Sequence, residues 1–196
     1  NAFPGMTNKA LSKNATYTLL AVEDAKKLMD PNANCIVTGN PVRQEVLQAQ
    51  REPSRQKLGL DDRPVILSFG GSLGARSINE AVADLLVHSA KTKHLHSYGQ
   101  YGKWMPELLK EKGVDLAQNP QMRISEYIYN MPECLAAADL VICRAGAMTL
   151  SELQVQGKGA ILIPSPNVAE NHQYHNAMAL ARRGAAIVIE EKDLTG

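Results

Sequence analysis

Short apolar runs alternate with amphipathic segments along most of this chain. The β-rich runs lie at 35–39, 65–70, 94–99, 122–128, 140–146, 160–165 and 185–191. Helical segments are predicted between them, at 42–50, 74–90, 103–112, 131–137, 147–156 and 171–183. The segment 77–87 shows the i, i+3, i+4, i+7 spacing of a helix with one buried face, at Ile78, Ala81, Val82 and Leu85. This alternation predicts an α/β fold, a Rossmann-like parallel sheet with helices on both faces.

The first residues follow a different pattern. A helix is predicted at 7–14, a strand at 16–21 and another helix at 23–29, and Asp30-Pro31-Asn32 then breaks the chain. We interpret 1–33 as a connecting segment from a preceding N-terminal domain, and 34–196 as one C-terminal domain. The alternative is that the first residues belong to the same sheet.

Composition narrows the class of protein. The 196 residues are 44% hydrophobic and 21% charged, as in an ordinary globular protein. The net charge of +1 and the 5% aromatic content argue against a nucleic-acid surface. No apolar run approaches the roughly 20 residues of a membrane span, and the N-terminus lacks the features of a signal peptide. Three cysteines without CxxC spacing are typical of reduced thiols in a cytosolic protein.

The first candidate site is the sequence GGSLGA at 70–75, where a β-rich run meets a helix. Glycines allow a ligand to approach the backbone closely, the helix start offers free N–H groups, and Ser72 adds a hydroxyl donor. The motif therefore indicates either a phosphate site or a turn that simply requires glycine. It matches neither GxGxxG nor GxxxxGK[ST], which argues against a dinucleotide-dependent oxidoreductase.

A second loop, RAGAMTLSE at 144–152, repeats this design. Glu152 lies near the predicted helix start, where a carboxylate either satisfies backbone donors or accepts both hydroxyls of a ribose diol. Two helix N-termini that face one crevice suit a diphosphate.

The other polar residues give weaker indications of a metal site or a catalytic site. His172 and His175 are spaced i, i+3, but no acidic or cysteine partner has matching spacing, so no metal site is predicted. His94 and His96 alternate on a strand, which favours a packing role, and Asp139 is typical of a turn or cap. No Ser-His-Asp or Cys-His arrangement follows from the sequence order.

These loops, in this order, resemble the MurG family of peptidoglycan glycosyltransferases. The resemblance extends over essentially the whole chain, through NAFPGMTNKAL, GNPVR, GGSLGAR, CRAGAMTLSE and HQYHNAMAL. It implies the two-domain GT-B fold, with this chain as the C-terminal, donor-binding domain. The chain departs from the family pattern at His172, where some relatives carry glutamine, and in HSYGQYGKW.

The resemblance also implies specific contacts with a UDP-sugar donor. Ile128 would hold the uracil through its backbone, and Glu152 the ribose hydroxyls. Ser72 and the backbone N–H groups of Met148 and Thr149 would hold the diphosphate, and Gln173 the sugar hydroxyls. The full set of expected substrate-binding residues is Asn1, Arg43, Ser72, Ile128, Ala147, Met148, Thr149, Leu150, Ser151, Glu152 and Gln173.

The activity implied is the inverting transfer of N-acetylglucosamine from UDP-N-acetylglucosamine to lipid I, which forms lipid II. The acceptor site and the base would lie in the N-terminal domain, so we expect no catalytic residue in this chain, no metal and no cofactor. The whole enzyme would be peripheral to the cytoplasmic face of the membrane, and this piece soluble. The alternatives are another UDP-sugar enzyme of GT-B fold, such as a UDP-N-acetylglucosamine 2-epimerase, and a non-catalytic binding module.

Overall fold

The computed structural model describes residues 3–89 and 91–194. In these residues the strands are β1 (Thr18–Leu20), β2 (Cys35–Val37), β3 (Val65–Phe69), β4 (Lys93–Ser97), β5 (Met122–Ser125), β6 (Leu140–Cys143), β7 (Ala160–Leu162) and β8 (Ala186–Val188). The α-helices are α1 (Met6–Ser12), α2 (Gln44–Gln48), α3 (Arg51–Lys57), α4 (Arg76–Val87), α5 (Met105–Glu111), α6 (Met131–Ala137), α7 (Ala147–Val155) and α8 (His172–Ala181). Short 3₁₀ helices occur at Glu23–Leu28, Ala169–Asn171 and Glu191–Asp193.

Six strands form one sheet in the order β5-β4-β3-β6-β7-β8, and every neighbouring pair is parallel. The predicted Rossmann-like parallel sheet is therefore confirmed. The strand order reverses between β3 and β6, because the crossovers after β3 run towards β5 and those after β6 run towards β8. In such sheets the carboxyl ends of the two central strands frame a crevice.

Helices cover both faces of this sheet, as predicted. On one face Leu135 of α6 and Leu153 of α7 pack with Leu67 of β3 in a shared buried cluster. On the other face Ile78 of α4 packs with Ile142 of β6 in a second cluster. Each fully buried aliphatic side chain stabilises the fold by about 2 kcal/mol, so these two layers hold the strands that position the loops.

The strand predicted at 35–39 forms over Cys35–Val37 but does not join the large sheet. It pairs in parallel with β1, from Thr18↔Cys35 to Leu20↔Val37. The N–H groups of Thr38 and Gly39 both donate to the Leu20 carbonyl, and Gly39 has φ of +76°. These contacts turn the chain away after β2 and keep it on the small sheet.

The helix α3, at Arg51–Lys57, was not predicted, because its sequence REPSRQK has no apolar stripe. Tertiary contacts hold it instead. Arg55 is only 5% exposed, and its guanidinium donates to the carbonyls of Arg63, at 2.7 Å, and Ala137, at 3.3 Å. Pro53 lies in the first turn, where no intrahelical N–H bond is lost.

Asp139 ties α3 to the amino end of β3. Its Oδ2 accepts hydrogen bonds from the Val65 N–H, at 2.8 Å, and from Arg55, while Oδ1 accepts one from Arg51 at 2.6 Å. Burial raises the pKa of Asp139, but the hydrogen bonds and the positive charges of both arginines outweigh it and hold that pKa below its usual value. Asp139 is therefore a structural anchor at the amino edge of the sheet, opposite the crevice.

The other boundaries shift by a few residues. The helix predicted at 74–90 begins two residues later, at Arg76, and α4 ends at Val87; Ala90 lies outside the described residues. The helix predicted at 131–137 forms with those bounds.

Candidate functional site

The two loops singled out in the sequence follow neighbouring central strands. Residues 70–75 (the glycine turn) follow β3, and residues 144–146 connect β6 to α7. Since β3 and β6 are parallel partners, with Phe69 opposite Cys143, both loops begin at the same edge of the sheet. They lie where the strand order reverses, which is the usual ligand position in open α/β sheets.

The glycine turn folds back tightly on itself. A Cβ on Gly70 would lie 2.4 Å from the Ala75 nitrogen, so only glycine fits there. Gly71 has φ of +94° and open space around its Cβ position, and Ser72 beside it is exposed. The glycine at position 70 thus serves the turn itself, whereas Gly71 and Ser72 face open space.

Residues 98–102 (the β4 loop) support the glycine turn. The N–H of Gln100 donates to the Ser72 carbonyl and that of Tyr101 to the Leu73 carbonyl, both at 3.0 Å. Gly74 and Gly99 touch, because a Cβ on Gly99 would lie 2.1 Å from the Gly74 nitrogen. Ser72 is therefore held by a neighbouring loop through its backbone carbonyl, and its hydroxyl takes no part in these bonds.

The start of α7 offers backbone donors. Gly146 precedes the helix with extended backbone, and no side chain caps it. The first intrahelical bond of this turn is from the Leu150 N–H to the Gly146 carbonyl, at 3.0 Å. The N–H groups of Ala147, Met148 and Thr149 precede that bond and are the donors that a helix N-terminus presents to anions.

Leu150 and Ser151 have structural contacts of their own. Leu150 is 5% exposed, and its N–H donates to a carbonyl within the helix, so neither its side chain nor its N–H is presented to a ligand. The Ser151 hydroxyl donates to the Ala147 carbonyl at 3.0 Å and accepts from the Asn40 amide at 2.9 Å. Asn40, which the sequence analysis did not select, therefore ties the GNPVR segment to α7.

Glu152 and Arg43, two predicted donor contacts, form an ion pair. Arg43 Nη2 and Nε lie 3.2 and 3.3 Å from Glu152 Oε1, so Oε2 takes no part in this pair. The Arg43 side chain is 54% exposed and that of Glu152 16%. Because the Arg43 side chain is half exposed, this ion pair contributes only about 0–1 kcal/mol to stability.

Ile128 lies in the loop after β5, and Gln173 lies in the first turn of α8. The Ile128 side chain is buried in the core, which anchors the loop after β5 and fixes its backbone. Gln173, in the first turn of α8, accepts a hydrogen bond from the Ser165 N–H through Oε1 at 2.9 Å. Asn1 lies outside the described residues.

The histidines of this region have other contacts. His172 Nδ1 lies 2.9 Å from the Ala169 carbonyl, and the His175 ring stacks on Phe3 with centroids 5.1 Å apart. In residues 3–89 and 91–194 no group of three or more His, Cys, Asp or Glu side chains is placed to hold a metal ion. No helix in the described part of the chain has the length and apolar character needed to cross a bilayer.

Comparisons with known proteins place these observations in a family. Residues 65–196 match the model of the glycosyltransferase family 28 C-terminal domain. A protein of Desulforamulus reducens, named UDP-N-acetylglucosamine--N-acetylmuramyl-(pentapeptide) pyrophosphoryl-undecaprenol N-acetylglucosamine transferase, is 46% identical over 100% of this chain and 54% of its own length. One of the same name from Acetivibrio thermocellus is 44% identical over 99% of this chain and 53% of its own length.

A solved structure agrees with these relatives. The crystal structure of Acinetobacter baumannii MurG is similar to all of this chain and 52% of that one, with 30% identity and a TM-score of 0.72. The chain thus spans about half the length of the relatives that it matches.

Proposed function

Because this chain belongs to the glycosyltransferase family 28 C-terminal domain family, we propose that it forms the donor-binding half of an enzyme. The enzyme transfers N-acetylglucosamine from UDP-N-acetylglucosamine to lipid I, the activity for which its relatives are named. The observation that carries this proposal is the juxtaposition, after β3 and β6, of the glycine turn and the uncapped start of α7.

The proposed site assigns one part of the donor to each group. The N–H groups of Met148 and Thr149 and the Ser72 hydroxyl bind the diphosphate, and Glu152 accepts the ribose hydroxyls. The Ile128 backbone binds uracil. Gln173 binds the sugar hydroxyls, and Arg43 and Asn1 make further contacts with the donor. The Ala147 N–H adds a further backbone donor for the diphosphate, and Leu150 and Ser151 hold the helix start through the contacts described above.

In the proposed reaction a hydroxyl of the muramoyl sugar attacks the anomeric carbon of the donor. The bond from that carbon to the β-phosphate oxygen breaks, and the electron pair leaves with UDP. The negative charge that grows on the β-phosphate is stabilised by the backbone donors at the start of α7 and by Ser72. The base and the acceptor site belong to the other half of the full-length enzyme, which is peripheral to the cytoplasmic face of the membrane.

The division into a connecting segment, 1–33, and a donor domain, 34–196, is part of this proposal. Leu19 of β1 and Ile36 of β2 are 65% and 42% exposed, although parallel strands are normally covered on both faces. This exposure supports a further domain that packs against β1 and β2. The pairing of β2 with β1 favours placing Cys35–Val37 with the connecting segment.

Ligand-dependent thermal unfolding of the 196-residue chain tests the proposed function. We expect UDP and UDP-N-acetylglucosamine each to raise the melting temperature and NAD to leave it unchanged, because ligand binding to the folded state stabilises it. A shift with NAD alone would contradict the proposal.

Replacing Ser72 with alanine is expected to weaken UDP binding about ten- to a hundredfold, because a hydrogen bond to a charged phosphate is lost. Isothermal calorimetry measures the affinity. The matched control is Ser89→Ala, which removes the hydroxyl bonded to the Leu85 carbonyl at the far end of α4. Equal UDP affinity in Ser72→Ala and the wild type would remove Ser72 from the site.

Replacing Glu152 with glutamine is expected to reduce discrimination of the ribose. The wild type should bind UDP about ten- to a hundredfold more tightly than 2′-deoxy-UDP, because a hydroxyl bonded to a carboxylate contributes about 1.5–3 kcal/mol. In Glu152→Gln this ratio should fall to a few-fold, measured by calorimetry. Asp61→Asn, which breaks the ion pair with Arg63 at the opposite edge of the sheet, should keep the wild-type ratio.

A further inference from the structure

A buried series of hydrogen-bonded polar side chains lies beneath the glycine turn and joins β3, β4 and α4. The Ser68 hydroxyl lies 2.8 Å from His96 Nδ1, and His96 Nε2 lies 3.2 Å from Asn79 Oδ1. Asn79 Nδ2 in turn donates to the Tyr98 carbonyl at 2.9 Å. Ser68 and His96 are 0% exposed and Asn79 is 1% exposed. Uncompensated burial of such groups is costly, so each of these contacts has a definite role.

The group at the end of this hydrogen-bonded series, the Tyr98 carbonyl, fixes which atom donates and which accepts in each of the other bonds. The Tyr98 carbonyl only accepts, so Asn79 turns its NH₂ group to Tyr98 and its oxygen to His96. His96 must therefore carry its proton on Nε2. Burial lowers the pKa of His96 to about 3, so the ring is neutral at pH 7, and Nδ1 accepts from the Ser68 hydroxyl. His94, the neighbouring titratable group, is also buried, with its pKa lowered to about 4.

The far end of this hydrogen-bonded series reaches the β4 loop, which in turn contacts the glycine turn that carries Ser72. Asn79 fixes the Tyr98 carbonyl at the start of the β4 loop, and a Cβ on Gly102 would lie 2.5 Å from Asn79 Nδ2. The β4 loop then donates to the glycine turn from Gln100 and Tyr101. A continuous path of hydrogen bonds and backbone contacts thus connects the imidazole to the Ser72 backbone.

We propose that His96 is a positioning residue, which sets the place of the glycine turn through Asn79 and the β4 loop and so tunes diphosphate affinity. This inference rests on the proposed function only for its effect on affinity, since the structural coupling stands on the contacts alone. The bond that matters is the one from Nε2 to Asn79, because it leads to the β4 loop. The bond to Ser68 leads back into the sheet.

Two amide substitutions separate these bonds. In His96→Gln the side-chain amide reaches the position of Nε2 and keeps a donor towards Asn79. In His96→Asn the amide oxygen reaches the position of Nδ1, accepts from Ser68 and leaves Asn79 without its donor. Both variants remove the ring, and asparagine leaves the larger cavity. A role confined to filling the core would therefore accelerate exchange elsewhere in the sheet as much as in the β4 loop.

Amide hydrogen exchange reports directly on the β4 loop. We expect exchange at Gln100 and Tyr101 to accelerate about tenfold or more in His96→Asn and to stay within about threefold of wild type in His96→Gln. The amides of Asp139 and Ile163, which bond within the sheet to Val65 and Cys143, serve as references. UDP affinity, by calorimetry, should fall about tenfold in His96→Asn and recover in His96→Gln.

The outcomes are distinct. Equal effects of the two variants, or unchanged exchange at Gln100 and Tyr101 in His96→Asn, would overturn the positioning role. If the wild type does not bind UDP, the proposed function fails, while the exchange data still decide the coupling. Should His96→Asn not fold, the ring ¹⁵N shifts of the wild type decide: a proton on Nε2 at neutral pH supports the assignment, and a proton on Nδ1 refutes it.

Discussion

Replacing Gly74 with alanine should destabilise the chain by about 2–5 kcal/mol. Gly74 has φ of +85°, which costs a residue with a Cβ about 1–2 kcal/mol. A Cβ at this position would also lie 2.1 Å from the Tyr98 carbonyl oxygen, and overpacking of this kind costs a further 1–3 kcal/mol or so. Urea unfolding at pH 7 measures the loss.

The matched control is Gly113→Ala. Gly113 has φ of +80°, but nothing lies within 4 Å of its Cβ position. The Gly113→Ala variant should therefore lose only the stability that a positive φ costs a residue with a Cβ, about 1–2 kcal/mol. The difference between the two variants isolates the contact between the glycine turn and the β4 loop, and equal losses would mean that these loops separate freely.

The fold was predictable wherever local pattern and burial agree. The apolar stripe of 77–87 predicted α4, and Ile78 and Val82 of that stripe are indeed buried, at 0% and 2% exposure. The runs at 65–70 and 140–146 predicted strands of a parallel sheet because several consecutive residues in them are apolar, as a sheet covered on both faces requires.

The fold was not predictable where distant contacts decide. Helix α3 depends on Arg55, whose partners Arg63, Ala137 and Asp139 follow it by up to 84 residues in sequence. The pairing of β2 with β1 depends on where the chain turns at Gly39. Neither contact leaves a local pattern in the sequence.

The candidate site, like the fold, was predictable from local sequence and not where distant contacts decide. The glycines at 70–75 correctly marked a special backbone, and the close approach of a ligand to Gly70 and Gly71 stays a prediction. In the structure Gly74 meets Gly99 of another loop, a contact that only the tertiary arrangement reveals. The pairing of Arg43 with Glu152, 109 residues apart, was likewise outside the reach of sequence reasoning, although both residues had been selected separately.

The two buried histidines should make the fold sensitive to mild acid. Burial lowers the pKa of His94 from 6.5 to about 4 and that of His96 from 6.5 to about 3. Both are neutral in the folded chain, whereas the unfolded chain takes up protons near pH 6.5. A group with a depressed folded pKa contributes stability that is fully present above its unfolded pKa and is lost as the pH falls. The loss here begins near pH 6.5.

The expected size of this effect is about 4 kcal/mol between pH 7 and pH 5, or about 2 kcal/mol for each histidine. That is a large share of the roughly 5–15 kcal/mol by which domains are stable. Carboxylates whose pKa is lowered in the fold, such as Glu133 beside Lys57 and the anchored Asp139, contribute stability that is lost only below about pH 5, where the unfolded chain begins to protonate them. Urea unfolding at pH 7, 6 and 5 therefore measures the histidines almost alone.

His94→Leu distinguishes the two contributions. Among the described residues no group bonds to His94 Nδ1, and Nε2 pairs with the Thr92 hydroxyl. Leucine therefore fills a similar volume without leaving a deeply buried partner unsatisfied, because Thr92 lies closer to the surface. The variant should lose about 2 kcal/mol between pH 7 and pH 5, half the wild-type loss. If wild-type stability is the same at both pH values, the histidines are accommodated equally well in charged form, and the buried Ser68–His96–Asn79 chain does not hold a neutral ring.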